Sequence, residues 1–436
     1  MLHESRVSTA FLDFQSAEFV LNGGTIPMTR LTPLPNTRWS FPRAEQLPTY
    51  AFVASDAVKA EVRAAGADII DLGLGNPDRP TPNAIVEQLH MASRVGANHR
   101  YHPGRGLFDL RVAVSEWYER RYHTRFDPER QIMVTMGAKD GMTGLCLAIL
   151  GTGDTVLVPD PCYPIHRGAP MIAGAEIMTY PSTGDSPAED ISRALARAEL
   201  AGKRVKLVIA NYPQNPTGRT VTREQLRALC EVVRKSGAML LHDLAYADLD
   251  FNERYAPSIF DCGLDVPTVE SFAVEVFSMS KSYHMPGWRI AYVVGNERMI
   301  GALAHLKTYT DYGTFIPVQH AAAWALRHGD ELVSDMRELY RGRAKALAEG
   351  LSRAGWENVT EPSGTMFLWV PVPSFYAGLS SMDMTARLIR EAHVAVSPGS
   401  GFGEGGEGYV RFALIEDPPR IDEACQRIAR LFQRAA

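Results

Sequence analysis

One lysine lies in a setting that favours reaction with an aldehyde. Lys281 stands between Ser280 and Ser282, and Arg289 follows after a short loop. Close packing and nearby positive charge favour the neutral amine, which is the nucleophilic form that condenses to a Schiff base. The hydroxyls of Ser278 and Ser280 and the guanidinium fork of Arg289 suit a phosphate group. A lysine in so short a pattern is often an ordinary surface residue, so this interpretation depends on further motifs.

A carboxylate follows an apolar run where a ligand site is expected. Residues 238–241 are apolar, which predicts a strand of a parallel sheet that is covered on both faces. Asp243 comes at the carboxyl end of this strand, where open α/β sheets bind their ligands. A buried carboxylate beside a ring nitrogen raises the pKa of that nitrogen and keeps it protonated. The alternative is that Asp243 caps a helix after the strand.

A turn of small residues indicates a site for an anion. Residues 132–136 read as a strand and residues 142–150 as an apolar helix. Between them lie Gly137, Ala138 and Lys139, and a small-residue turn that opens a helix presents free backbone N–H groups to an anion. Many turns of this kind bind nothing, so the prediction of an anion site depends on the other motifs.

Taken together, the motifs resemble those of a known family. Residues 211–218 read Asn-Tyr-Pro-Gln-Asn-Pro-Thr-Gly and complete the set. The set resembles the signature of class I and II aminotransferases, which use pyridoxal 5'-phosphate and have fold type I. The resemblance starts near Trp39 and runs to Arg427 or beyond. It implies that Lys281 forms the Schiff base with the cofactor and that Lys281, Asp243 and Tyr246 are catalytic.

The resemblance also implies the other cofactor contacts. Asp243 would lie under the pyridine nitrogen, and Asn215 and Tyr246 would reach the phenolic oxygen. Tyr163 would stack on the cofactor ring, although an aromatic residue before a proline can equally be a turn-packing residue. The implied phosphate ligands are Gly137, Ala138, Lys139, Ser278, Ser280 and Arg289. Tyr101 would reach the phosphate of the neighbouring subunit, so the active site would be complete only in a homodimer.

The substrate side has its own candidates. Arg411 lies in the apolar strand predicted for residues 409–414, and a charge in that setting needs a partner. The family uses this arginine to bind the α-carboxylate of the substrate, helped by the backbone N–H that corresponds to Gly75 and by Asn215. A structural salt bridge is the alternative for Arg411.

The implied activity is transfer of an amino group between an L-amino acid and a 2-oxo acid by a ping-pong mechanism. Residues 137–141, 160–166, 242–246 and 312–315 are most similar to the bacterial glutamate–pyruvate (alanine) aminotransferase group, and diaminopimelate aminotransferases share the phosphate turn. Cys162 and His284 stand where serine and asparagine are expected. Because His284 is close to Lys281, it leaves the identity of the substrate open.

Other reactions can use the same scaffold. Elimination, decarboxylation, cyclisation and carbon–carbon bond formation need the same carbanion, and the fold alone does not choose among them. A cofactor-bearing regulator with a DNA-binding module is disfavoured, since residues 1–37 contain no helix-turn-helix or basic domain.

Composition narrows the class of protein. The chain has 436 residues, 45 basic and 50 acidic, with a net charge of −5 and no basic stripe, so we expect neither nucleic-acid nor membrane binding. The 5 cysteines are scattered without metal-ligand spacing, which predicts reduced thiols, a cytoplasmic location and no metal. There is no signal-peptide core and no run long enough to span a bilayer.

Helical and strand patterns alternate, which predicts an α/β fold with a mostly parallel sheet. The family resemblance implies that this sheet has seven strands and lies between helices in a large domain, with a smaller α+β domain beside it. Residues 401–406 match Gly-x-Gly-x-x-Gly, but a strand rather than a helix follows, so this is not a dinucleotide site. The predicted boundaries are an N-terminal extension at 1–37, small-domain parts at 38–84 and 315–436, and the cofactor-binding domain at 85–314.

Overall fold

The computed structural model describes residues 39–48, 51–102 and 104–435. The predicted N-terminal extension lies outside the described residues. The chain divides into the units Met1–Pro42 and Arg43–Ala436. The domain boundaries within it remain a prediction.

The strands of the described residues, in chain order, are β1 Ile70–Asp71, β2 Ile132–Thr135, β3 Thr155–Asp160, β4 Glu176–Pro181, β5 Val205–Asn211, β6 Met239–Asp243, β7 Ala273–Ser278, β8 Ala291–Gly295, β9 Phe367–Pro371, β10 Val394–Ala395, β11 Ser397–Pro398 and β12 Tyr409–Ala413.

The helices are α1 Pro42–Glu45, α2 Ala51–Ala64, α3 Asn83–Ser93, α4 Phe108–Tyr122, α5 Ala138–Ile149, α6 Pro164–Ile172, α7 Pro187–Leu200, α8 Arg223–Ser236, α9 Val266–Glu270, α10 Met279–Ser282, α11 Glu297–Thr310, α12 Ile316–His328, α13 Asp330–Arg353, α14 Ser381–Arg387 and α15 Pro418–Ala435. Short 3-10 helices occupy Gly96–His99, Ile259–Asp261, Pro286–Trp288, Ser374–Tyr376, Gly399–Phe402 and Glu404–Gly406, and a π-helix occupies Leu388–Ala392.

Among the described residues, the central sheet has seven strands in the order β2-β8-β7-β6-β5-β3-β4. The pairs from β7 through β6, β5 and β3 to β4 are parallel, and β8 is antiparallel to both of its neighbours. The prediction of a mostly parallel, seven-stranded α/β sheet is therefore confirmed. β2 and β7 are both antiparallel to β8, so their carboxyl ends point to the same edge as those of β5 and β6.

Helices cover both faces of this sheet, which explains its unbroken apolar runs. Consecutive residues of a strand point to opposite faces, so Leu240 packs into one hydrophobic cluster and Leu241 into another. Every residue of β7 and β8 is buried. Strands of this kind lack the alternation of apolar and polar residues that a half-exposed sheet shows.

Among the described residues, two smaller sheets pair strands of the C-terminal part of the chain with each other or with β1. β11, β12 and β9 form an antiparallel sheet in which Arg411 pairs with Ser397 on one side and Trp369 on the other. β1 pairs in parallel with β10, which brings residues 70–72 into a hydrophobic cluster with residues from the C-terminal part of the chain. As predicted, a strand (β12) follows the glycine-rich residues 401–406.

Within the described residues, no helix combines the length and the apolar character needed to cross a membrane.

Candidate active site

A cavity of about 350 Å³ opens at the carboxyl edge of the central sheet. The residues predicted from the sequence that line it are Gly75, Ala138, Lys139, Tyr163, Asn215, Asp243, Tyr246, Ser278, Ser280, Lys281, Arg289 and Arg411. They come from segments widely separated in the chain, and the sheet brings them to one place. Two further candidates, Gly137 and Tyr101, are not among the described residues that line it.

Lys281 lies on α10, the short helix that begins directly after β7. Its Nζ donates a hydrogen bond of 2.8 Å to the carbonyl oxygen of Gly75. Burial lowers the pKa of Lys281 to about 7, and the positive charges of Arg411, Arg289 and Lys139 add to this shift. A large share of this amine is therefore neutral near neutral pH, and the neutral amine is both nucleophilic and basic.

Asp243 ends β6 and is buried. The Nε2 of His166 lies 2.8 Å from its Oδ2, and the backbone N–H of Ala245 donates to its Oδ1 at 3.1 Å. The side-chain amide of Asn211, the last residue of β5, donates to the carbonyl oxygen of Asp243 at 2.8 Å. These contacts hold the carboxylate in one orientation at the wall of the cavity.

The N-terminus of α5 and the loop after α10 meet at one end of the cavity. Gly137 precedes α5 with a φ of 88°, which is in the left-handed region that favours glycine. A Cβ at this position would overlap the guanidinium of Arg289. Arg289 is oriented by hydrogen bonds to the carbonyl oxygens of Pro286, at 2.8 Å, and Met136, at 3.3 Å. Free helix N–H groups beside a guanidinium form a site for a phosphate.

Two serines close to Lys281 in the chain line the same cavity. Ser278 and Ser280 are buried, and the Oγ of Ser278 accepts a hydrogen bond of 3.2 Å from the backbone N–H of Ser280. The Nζ of Lys139 lies 5.3 Å from the ring centroid of Tyr163, which places a cation beside the aromatic wall of the cavity.

Burial raises the pKa of Tyr246, so its hydroxyl stays protonated and can donate a hydrogen bond.

Arg411, on β12, also lines the cavity. Its guanidinium donates to the side-chain oxygen of Asn215 at 2.8 Å, to the carbonyl oxygen of Gly73 at 3.0 Å and to the hydroxyl of Ser397 at 3.2 Å. The ring of Phe367 lies 3.9 Å from the guanidinium carbon. Arg411 is buried, yet it lines the cavity, so it offers a strongly oriented positive charge to an anion that enters.

Tyr101 lies apart from these residues. Its side chain is 81% exposed, and its ring packs on Tyr312 with centroids 4.6 Å apart. This position agrees with a residue that serves a neighbouring subunit, and that role remains a prediction.

Sequence reasoning did not assign several residues that shape the site. His166 and Asn211 belong to the motifs at residues 160–166 and 211–218. These motifs do not show which carboxylate or carbonyl the two side chains contact. Phe367 and Ser397 contact Arg411 only because β9, β11 and β12 pair. Cys162 is buried, and burial raises the pKa of its thiol to about 12, so it is not a reactive group.

The donors around the cavity fit pyridoxal phosphate. A lysine with a lowered pKa suits the aldehyde, an oriented carboxylate suits the pyridine nitrogen, and a glycine-bounded helix N-terminus with a nearby arginine suits the phosphate. Among the described residues there is no cluster of His, Cys, Asp and Glu that could hold a metal. The sheet order, the lysine and these donors define a pyridoxal-phosphate-dependent enzyme of fold type I.

Comparisons with known proteins place the chain in a family. The sequence model of the family "Aminotransferase class I and II" matches residues 67–428, so the chain belongs to this family. It is 41% identical over 394 residues to glutamate-pyruvate aminotransferase AlaC of Escherichia coli (strain K12), a match that covers 90% of this chain and 94% of that protein.

Two further comparisons agree. The chain is 36% identical over 389 residues to the LL-diaminopimelate aminotransferase of Oleidesulfovibrio alaskensis, covering 89% of this chain and 98% of that protein. The solved structure of substrate-bound BacF from Bacillus subtilis is similar with a TM-score of 0.82 at 29% identity, covering 91% of this chain and 98% of that one. The chain is thus an aminotransferase that uses pyridoxal phosphate and acts on amino acid and 2-oxo acid substrates. This confirms the predicted family, enzyme class and cofactor.

Proposed function

We propose that this enzyme transfers the amino group of an alanine- or glutamate-like L-amino acid to a 2-oxo acid by a ping-pong mechanism. One observation carries the proposal: a lysine with a pKa of about 7 and a buried, oriented arginine line the same cavity. The similarity to a glutamate-pyruvate aminotransferase supports the choice of substrates.

The residues divide the work between binding and proton transfer. Arg411 binds the α-carboxylate of the substrate with its guanidinium fork and so orients the α-carbon in the cavity. The neutral Nζ of Lys281 takes the proton from that carbon and so acts as the base. The protonated Nζ then acts as the acid and donates the proton again when the product forms. When bound, pyridoxal phosphate supplies the ring that withdraws electrons from the α-carbon.

Asp243 and Tyr246 set the electrostatics around the ring position. The carboxylate of Asp243 would keep the pyridine nitrogen protonated, and the contacts with His166 and Ala245 hold it there. The protonated hydroxyl of Tyr246 and the amide of Asn215 would face the phenolic oxygen. Gly137, Ala138, Lys139, Ser278, Ser280 and Arg289 would hold the phosphate.

The names of the matched family and relatives favour transamination over elimination, decarboxylation, cyclisation or carbon–carbon bond formation. One second candidate has its own support: the 36% identity to an LL-diaminopimelate aminotransferase makes a longer amino donor an alternative substrate.

The test is the visible absorption of the purified enzyme with single substrates. We expect L-alanine or L-glutamate to bleach the cofactor band and pyruvate or 2-oxoglutarate to restore it, with parallel lines in double-reciprocal plots. A response to LL-diaminopimelate alone would favour the second candidate. Steady turnover without any 2-oxo acid would contradict transamination.

We also propose a homodimer with shared active sites. Tyr101 and Tyr312 are 81% and 57% exposed and their rings pack on each other, and exposed aromatic surface of this kind is typical of an interaction surface. Mixing inactive Lys281→Ala and Tyr101→Ala subunits should restore some activity, because one site of the mixed dimer would be intact. No recovery in a dimer confirmed by light scattering would contradict site sharing.

The predicted cytoplasmic location remains a proposal. Its support is that all 5 cysteines are free and buried, in accord with a reducing compartment.

A further inference from the structure

His284 lies in the loop after Lys281, with only 1% of its surface exposed. Its φ of 50° is in the left-handed region, which histidine and asparagine adopt more readily than most residues. Among the described residues, Lys281 lines the cavity and His284 does not. The replacement of the expected asparagine therefore lies behind the site rather than against the substrate.

The two ring nitrogens of His284 contact two different parts of the protein. Nδ1 lies 3.1 Å from the carbonyl oxygen of Arg79, and because a carbonyl can only accept, Nδ1 carries the proton. In the neutral ring, Nε2 is then an acceptor, and it lies 3.2 Å from the hydroxyl of Tyr340 on α13. An asparagine amide could replace the donor at Nδ1 but would end short of Tyr340.

The chain from residue 73 to residue 81, which we call the 73–81 segment, connects His284 to the site. At its start, the carbonyl oxygen of Gly73 accepts from Arg411 and that of Gly75 accepts from Lys281. At its end, His284 holds the carbonyl of Arg79. The same short segment therefore contacts the lysine, the arginine and the histidine.

Helix α13 holds the segment from the other side. Arg343 makes two hydrogen bonds to the carboxylate of Asp78, at 2.7 and 2.8 Å, and one of 3.0 Å to the carbonyl oxygen of Leu414. Tyr340 is on the same helix and reaches His284. The charged groups around His284 are thus Asp78 and Arg79 on the segment, Arg343 on α13 and Lys281 on its own loop.

We propose that His284 is a positioning residue: its neutral ring ties the 73–81 segment to α13 and so holds the carbonyls of Gly73 and Gly75 against Arg411 and Lys281. The proposal concerns the aminotransferase reaction and does not depend on which amino acid is the donor. It goes beyond the residues that contact the cofactor or the substrate.

The neutral ring makes this link sensitive to acid. Burial lowers the pKa of His284, and the charges of Arg343 and Lys281 act in the same direction, although Asp78 and the Arg79 carbonyl oppose them. In the unfolded chain the pKa returns to about 6.5. The stabilising contribution is therefore complete above that value and is lost as the pH falls towards the lower pKa of the folded protein.

The first test is a double-mutant cycle on His284→Asn and Tyr340→Phe. Both variants lose the same hydrogen bond, so we expect each to lower kcat/KM about tenfold through the displaced site. The double variant should be no worse than either single variant, because the two residues act as one unit. Effects that multiply in the double variant would overturn the proposal.

Tyr118→Phe is the matched control. Tyr118 is also a fully buried tyrosine with a side-chain hydrogen bond, of 2.8 Å to Glu275, but it belongs to the core under the sheet. It should lower stability and leave kcat/KM within about twofold of wild type, as expected for a residue that acts on folding alone. An equal loss of kcat/KM in Tyr118→Phe and Tyr340→Phe would also overturn the proposal.

The second test needs no catalysis. Thermal unfolding of the protein without cofactor is followed from about pH 8 to about pH 5, the range in which histidine titrates. The midpoint of wild type should fall more steeply with acid than that of His284→Asn, because only the wild type loses the neutral ring. Parallel curves would overturn the proposal.

Discussion

The two walls of the cavity are built in different ways. On the cofactor side, Asp243, Ser278, Lys281 and Gly137 lie at or just beyond the ends of β6, β7 and β2, so the central sheet places them directly. On the carboxylate side, Arg411 contacts the carbonyl of Gly73, which is 338 residues away in the chain. The first wall depends on one sheet, and the second depends on contacts between segments that are far apart in the sequence.

Because different elements support the two walls, we expect that substitutions can change one wall without changing the other. On the cofactor side, the strand ends of a buried sheet provide rigid positions for the side chains. The carboxylate side belongs to the 73–81 segment, the small sheet and α13, which contact one another through long-range hydrogen bonds. We therefore expect cofactor-side variants to lose turnover and carboxylate-side variants to lose mainly substrate affinity.

The largest expected effect is that of Lys281→Ala on the cofactor side. Without the base, kcat should fall by at least about 10⁴-fold, while pyridoxal phosphate still binds through its phosphate. Steady-state kinetics and equilibrium dialysis measure the two properties. Lys206→Ala, which removes a surface lysine paired with Asp154, is the control and should be fully active. Turnover near that of wild type in Lys281→Ala would refute the assignment of the base.

Asp243→Asn should come next. The amide keeps the size of the side chain but removes its charge, so kcat should fall about 10³-fold with little change in KM. The measurement is the kinetics of the half-reaction with one amino acid. Asp154→Asn, just before β3, provides the control. Unchanged kinetics in Asp243→Asn would mean that this carboxylate does not face the ring.

Arg411→Lys tests the carboxylate side. Lysine keeps the charge but cannot form the two-pronged contact with a carboxylate, so kcat/KM should fall about 10²-fold, mainly through KM. The visible absorption of the bound cofactor should remain as in wild type. If the variant instead loses cofactor and keeps its KM, the division between the two walls is wrong.

The smallest effect concerns pH. Because the pKa of Lys281 is lowered from 10.5 to about 7, its amine is mostly neutral above that pH and mostly protonated below it. Uptake of pyridoxal phosphate by the apoprotein should therefore rise about tenfold per pH unit on the acid side and level off above neutrality. Stopped-flow absorbance measures the rate. A rate that continues to rise well into the alkaline range would show an ordinary lysine.

The cofactor side could largely be predicted from the sequence. The apolar run before Asp243 and the strand before Gly137 place both residues at strand ends. Local signals are enough here because parallel strands share one edge of a sheet. The roles of the individual site residues remain predictions.

The carboxylate side could be predicted only in part. Arg411 was found from its charge within an apolar strand, but β1 and β10 are two residues long each and show no pattern. The charged pattern of residues 328–354 predicts one long helix, whereas in the structure α12 ends at His328 and α13 runs from Asp330 to Arg353. A strand of two residues is too short to show a periodic signal.

The contacts of His284 could not be predicted from the sequence by itself. The sequence determined the class of chemistry, because a lysine, an aspartate and a phosphate turn at the ends of predicted strands leave few alternatives. It also showed that His284 differs from the expected asparagine, but not what it touches. Only the tertiary structure decided that its ring bridges Arg79 and Tyr340, since hydrogen bonds between distant segments depend on their packing and not on local propensity.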